Sequence, residues 1–111
     1  MKWINLVESQ QLDEIREQSN DKAVIIFKHS TRCSVSRAAL DRLERNWSEA
    51  EMSTVEPYFL DLISNRQISN EVAQKFDVEH ESPQVLVIKN GKAVSNYSHF
   101  EIDYKAIRES V

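Results

Sequence analysis

The 111-residue chain holds one cysteine, one glycine and two prolines, and each scarcity narrows what it can be. A single cysteine cannot close an internal disulfide, so the expected compartment is a reducing cytoplasm. No apolar run approaches the roughly twenty residues of a membrane span. Asn5, Glu8, Ser9, Gln10 and Gln11 follow Lys2 too soon for the apolar region of a signal peptide. Basic residues are short as well. The net charge of -4 disfavours general nucleic-acid binding, which depends on a positive surface to displace counterions. No repeat, low-complexity tract or linker interrupts the chain.

The remaining composition, 41% hydrophobic and 29% charged, suits a single globular domain spanning residues 1–111, with a core that needs no staples. Ala23-Val24-Ile25-Ile26-Phe27 reads as a buried strand. Ala38, Ala39, Leu43 and Trp47 then recur at helical spacing, predicting an amphipathic helix from about Cys33 to Met52-Ser53. Upstream, Trp3-Ile4-Asn5-Leu6 forms a short strand, and Ser9 caps a helix over Gln10 to Ser19. Downstream, Val55 to Leu62 is a second central strand entered at Pro57. Ser64-Asn65 caps a helix whose inner face is Ile68, Val72, Ala73 and Phe76.

Ser82-Pro83 leads into the strand Gln84 to Lys89. Asn90-Gly91, a strong hairpin signal, turns the chain into Lys92 to Tyr97. Asp103 caps a last helix holding Tyr104, Ile107 and Val111. Strands alternating with helices predict an α/β sandwich with parallel neighbours and an antiparallel edge added by the hairpin, a mixed sheet flanked by helices.

Cys33 falls where the first central strand gives way to its helix. Unpaired amides and the positive end of the helix dipole favour a thiolate there, and the thiolate is the reactive form. Arg32 and Arg37 add positive charge, and no carboxylate lies between His29 and Leu40. Three residues on, where a redox dithiol would carry its second cysteine, stands Ser36. A serine cannot resolve a mixed disulfide, so this is a one-thiol site that exchanges with thiols from outside the chain. The alternative is a buried cysteine acting as a small hydrophobe.

Cys33 opening a helix, Ser82-Pro83 opening a strand and the Asn90-Gly91 hairpin together resemble the thioredoxin fold over nearly the whole chain. Within that fold, Phe27-Lys28-His29-Ser30-Thr31-Arg32-Cys33-Ser34-Val35-Ser36, the Trp3 start and Ser82-Pro83-Gln84 are similar to the YtxJ-like monothiol bacilliredoxins of low-GC Gram-positive bacteria, which use bacillithiol instead of glutathione. The resemblance implies a cis Pro83 beside Cys33, and a Ser82 backbone that pairs with the thiol substrate. It implies a cytoplasmic monothiol oxidoreductase: Cys33 removes bacillithiol, the co-substrate thiol, from bacillithiolated client proteins. A monomer suffices for that, and a Cys33-linked dimer is the expected product of oxidation. The family typically has proline after its cysteine, where Ser34 stands here.

Several side chains have two readings. Arg32 either stabilises the thiolate or binds bacillithiol's carboxylates, or else is a solvated surface arginine. Ser36 donates to the thiolate or is simply polar in the first helical turn. Thr31 contacts substrate or bonds local backbone. Lys28 and His29 end the strand facing the site, or His29 bonds a loop. His29, His80, His99 and Cys33 lack the close spacing of zinc motifs, so no metal site is expected. Two other functions compete with the exchange reading. Monothiol glutaredoxins hold a [2Fe–2S] cluster with one cysteine, but have glycine where Ser34 stands. A non-catalytic thioredoxin-fold binding module would make Cys33 a bystander.

Overall fold

The computed structural model describes residues 1–111. In chain order the elements are β1 (Ile4–Asn5), α1 (Gln10–Gln18), β2 (Val24–His29), α2 (Ser34–Asn46), β3 (Glu56–Asp61), α3 (Arg66–Lys75), β4 (Gln84–Lys89), β5 (Lys92–Ser98), a 3-10 turn (His99–Glu101) and α4 (Tyr104–Ser110). The five strands form one mixed sheet in the order β1-β3-β2-β4-β5. The two-residue side-chain period of β2 divides the core. Val24 and Ile26 face Leu12 and Ile15 of α1 and Ile68 and Val72 of α3. Ile25 and Phe27 face Ala39 and Leu43 of α2 and Ile107 of α4. Every residue of β2 is buried, which is why its sequence is an unbroken apolar block before Lys28 and His29.

Pro57 enters β3 without disrupting it. The Glu56 N–H donates to Ala23 beside β2, so the proline nitrogen one residue later points toward β1. There pairing starts only at Ile4 opposite Tyr58, and no ladder bond needs the missing donor. The hairpin forms as predicted, with Asn90 and Gly91 both in the left-handed region (φ 53° and 75°), the pairing that matches strand twist. Asp103 caps α4 by accepting the Ala106 N–H.

Four expectations are corrected. β4 runs antiparallel to β2, not parallel. Left-handed Asp77 ends the α3 region, and residues 77–83 carry the chain back to the end of the sheet where β2 finishes, so β4 starts there and runs the other way. The central helix stops at Asn46, where Trp47 turns extended (φ -64°, ψ 126°). Trp47 packs edge-on against Tyr104 at 6.0 Å, and Met52 is buried in the turn that follows, so these apolar residues serve α4 and a loop. Ser9 occupies the N-cap position but bonds no first-turn amide; its hydroxyl donates to the Glu71 carboxylate instead. Asn65 likewise caps by position alone.

Candidate active site

Cys33 is the N-cap residue of α2, in extended conformation (φ -106°, ψ 119°). Its N–H donates to the Ser30 carbonyl and its own carbonyl accepts the Arg37 N–H, both at 3.1 Å. Thr31, Arg32 and Ser34 around it are exposed, and Cys33 is half-buried. That is unlike an inert core thiol. The sulfur accepts no hydrogen bond from the first turn of the helix. The Arg32 and Arg37 guanidinium groups make no ion pair closer than 4.0 Å.

The second segment of the site arrives through the sheet. Lys28 opposite Gln84 is the last pair between β2 and β4, so the strand that runs on to Cys33 and the strand entered from Ser82-Pro83 meet the same end of the sheet. The Ser82–Pro83 peptide is cis. Pro83 is buried, and its carbonyl accepts the His99 N–H at 3.0 Å. The Ser82 hydroxyl oxygen is buried with no hydrogen-bond partner.

Two networks hold these segments, one on each face of the sheet. On the α2 face, buried Ser36 accepts the Ser30 N–H at 3.0 Å and its Oγ lies 2.7 Å from His29 Nδ1. The imidazole rests against Phe59, ring centres 5.4 Å apart. Burial lowers the His29 pKa and Arg37 lowers it further, against opposing pulls from Asp61 and Glu44. Of the two readings of His29, facing the site or bonding a loop, the first holds: its ring bonds Ser36 in the first turn of α2, and no loop residue.

On the α3 face, Lys28 has no exposed surface. Its Nζ donates to the Ser69 carbonyl at 3.3 Å and lies 3.2 Å from His80 Nδ1. An ammonium has no acceptor capacity, so Nδ1 of His80 is the acceptor and Nε2 carries the ring proton. Desolvation pushes the Lys28 pKa down to about 8. His80 is also held below its ordinary value, by burial first and then by Lys28 and Arg66. Gln84 tethers the same loop, donating to Glu79 and accepting from the Glu81 N–H.

The structure thus brings Cys33, its neighbours Thr31, Arg32 and Ser34, buried Ser36 and the Ser82-Pro83 entry to one end of the sheet. The part played by His80 carried no sequence signal, because its partners lie 11 and 52 residues away. Phe100, 82% exposed on the turn that His99 ties to Pro83, likewise has no local pattern that sets it apart from the core apolar residues.

Comparison with known proteins agrees with this geometry. A solved thioredoxin-fold structure, provisionally described as an oxidoreductase, superimposes with a TM-score of 0.81 at 30% identity, covering 96% of this chain and 91% of the other. Thioredoxin from Malassezia sympodialis matches at TM-score 0.76 and 19% identity over 98% of this chain and 90% of its own. Fasciola hepatica thioredoxin matches at 0.68 and 22% over 95% and 92%. These two establish the thioredoxin fold. The family model of monothiol bacilliredoxin BrxC matches residues 4–107. With its lone, half-buried cysteine at the head of α2 and a cis proline entering β4, the chain belongs to the monothiol bacilliredoxin family of thioredoxin-fold oxidoreductases.

Proposed function

We propose that this protein removes bacillithiol from bacillithiolated client proteins by thiol–disulfide exchange at Cys33. The Cys33 thiolate attacks the bacillithiol sulfur of the client's mixed disulfide. A Cys33–bacillithiol disulfide forms, the client–bacillithiol disulfide breaks, and the client cysteine leaves as thiolate. A second bacillithiol thiolate then attacks the bacillithiol sulfur on Cys33, releasing bacillithiol disulfide and restoring the Cys33 thiolate. Two thiolates enter and two leave, and the oxidation passes from client to bacillithiol.

The observation that carries this reading is the pairing of a half-buried Cys33 with a buried Ser36 three residues later. The position of a resolving thiol holds a hydroxyl, so the mixed disulfide must be resolved from outside. The exposed, unpaired Arg32 suits a carboxylate-bearing thiol, Thr31 and Ser34 border the approach, and the Ser82 backbone beside Pro83 is available to pair with the substrate. One chain completes the cycle, in a cytoplasm that keeps Cys33 reduced; two oxidised chains join through Cys33. No helix is long and apolar enough to cross a membrane.

The test is release of free client thiol from a bacillithiol-capped protein by wild type and Cys33→Ala. The reading expects release by wild type and none by the variant; equal release by both would overturn it.

A further inference from the structure

The hydroxyl that replaces a resolving thiol is already engaged. Ser36 has no exposed surface, and a hydroxyl offers one proton and two lone pairs. One lone pair takes the Ser30 N–H at 3.0 Å. The remaining proton or lone pair meets His29 Nδ1 at 2.7 Å. Ser30 in turn receives the Cys33 N–H on its carbonyl. His29, Ser36, Ser30 and Cys33 therefore form a continuous run of hydrogen bonds from the end of β2 to the thiol-bearing residue.

We propose that His29 is a positioning residue for exchange at Cys33: by bonding Ser36 it fixes the hydroxyl that holds the Ser30–Cys33 turn against the first turn of α2. The charged groups acting on the imidazole are Asp61 of β3 and Arg37 and Glu44 of α2. Their pulls oppose one another, and with burial added the neutral ring prevails. A neutral imidazole with Nδ1 unprotonated accepts the Ser36 proton, which leaves the hydroxyl oxygen to accept the Ser30 N–H. Phe27 and Phe59, with centroids 6.0 and 5.4 Å away, keep the ring from swinging off this bond. The role requires a polar atom at the Nδ1 position, not aromatic bulk.

This rests on the exchange reading only in taking Cys33 as the reacting thiol, so the test uses iodoacetamide, which needs no bacillithiol. His29→Asn keeps a polar atom near the Nδ1 position; His29→Phe fills the space among aromatics and cannot bond. Alkylation of Cys33 at neutral pH is expected to stay within about twofold of wild type in His29→Asn and to slow on the order of tenfold in His29→Phe, the rate equivalent of one lost hydrogen bond. Protection of the Ser30 amide from hydrogen exchange should follow the same order. Ser36→Ala, which leaves His29 in place, should slow alkylation as His29→Phe does and shift the imidazole ¹⁵Nδ1 resonance. It also decides the matter should His29→Phe not fold. Wild-type alkylation in Ser36→Ala, or equal slowing in both His29 variants, would overturn the proposal.

Discussion

The Nζ of Lys28 lies 3.2 Å from Nδ1 of His80, with no carboxylate within ion-pair distance. Buried cations usually have an anionic partner, because removing a charge from water is costly. Here the partners are an imidazole, the Ser69 carbonyl and the interior of the α3 face. Their common effect is to anchor the loop that delivers Ser82 and Pro83 to the site.

That arrangement predicts an unusual alkaline response. The folded state holds the Lys28 proton less tightly than the unfolded chain, its pKa being about 8 against 10.5. Below about pH 8 both states are protonated and the cost of burying the cation is fully felt. Between about 8 and 10.5 the folded state releases the proton while the unfolded chain keeps it, so stability rises with pH. Urea unfolding of Lys28→Met should lack this rise relative to wild type. Ser69 Oγ, 3.3 Å from His80 Nδ1, still supplies a donor in the variant. Parallel pH profiles for the two proteins would contradict the assignment.

His80 predicts the acid side. Its folded pKa is below the ordinary 6.5, so the unfolded chain binds the proton more readily. The contribution is complete above about pH 6.5 and declines as pH falls toward the folded value. Protonation also removes the acceptor that Lys28 uses and sets two cations side by side. The protection factor of the Glu81 amide, which donates to Gln84 in the same loop, should fall between pH 7 and pH 5. In Lys28→Met the fall should be smaller. A constant protection factor across this range in wild type would count against the link.

These networks also mark where the sequence stops being legible. The strand at Val24 to Phe27, the helix entry at Cys33 and the Asn90-Gly91 hairpin are written locally, in apolar runs and turn chemistry. The direction of β4 is not, because it depends on how residues 76–83 travel after α3. Nor is the end of α2, since Trp47 and Met52 continue an apolar pattern that packing against Tyr104 diverts. Cys33 and Ser36 stand out by type and spacing. The bonds from Lys28 to His80 and from Ser36 to His29 span gaps that no local pattern encodes.

Ser34 tests the departure from the family's proline. It is the first residue of α2, where an N–H has no helical partner and proline is well tolerated. Cys33 before it has φ -106° and ψ 119°, within the range a following proline permits. Ser34→Pro should therefore fit without strain and stabilise the protein by about 0.4–1 kcal/mol through the unfolded chain. Alkylation of Cys33 should be retained. A loss of stability in thermal unfolding would show that the Ser34 N–H or side chain is needed.

Ser82 separates side chain from backbone. Its hydroxyl is buried without a partner, so deleting it removes a desolvated polar group and breaks no bond. Ser82→Ala should be as stable as wild type or more so, by up to about 1 kcal/mol. Exchange should continue, since the proposed contact uses the backbone. A variant folded as well as wild type but unable to release client thiol would place the function in the hydroxyl.

The most direct test of the one-thiol cycle is intact mass of the reduced protein after mixing with a bacillithiol-capped client, with free bacillithiol then added to half the sample. The account predicts a single bacillithiol adduct on Cys33, lost in the half that received bacillithiol, with the client freed in both. An unmodified Cys33 beside a client that remains capped would contradict it.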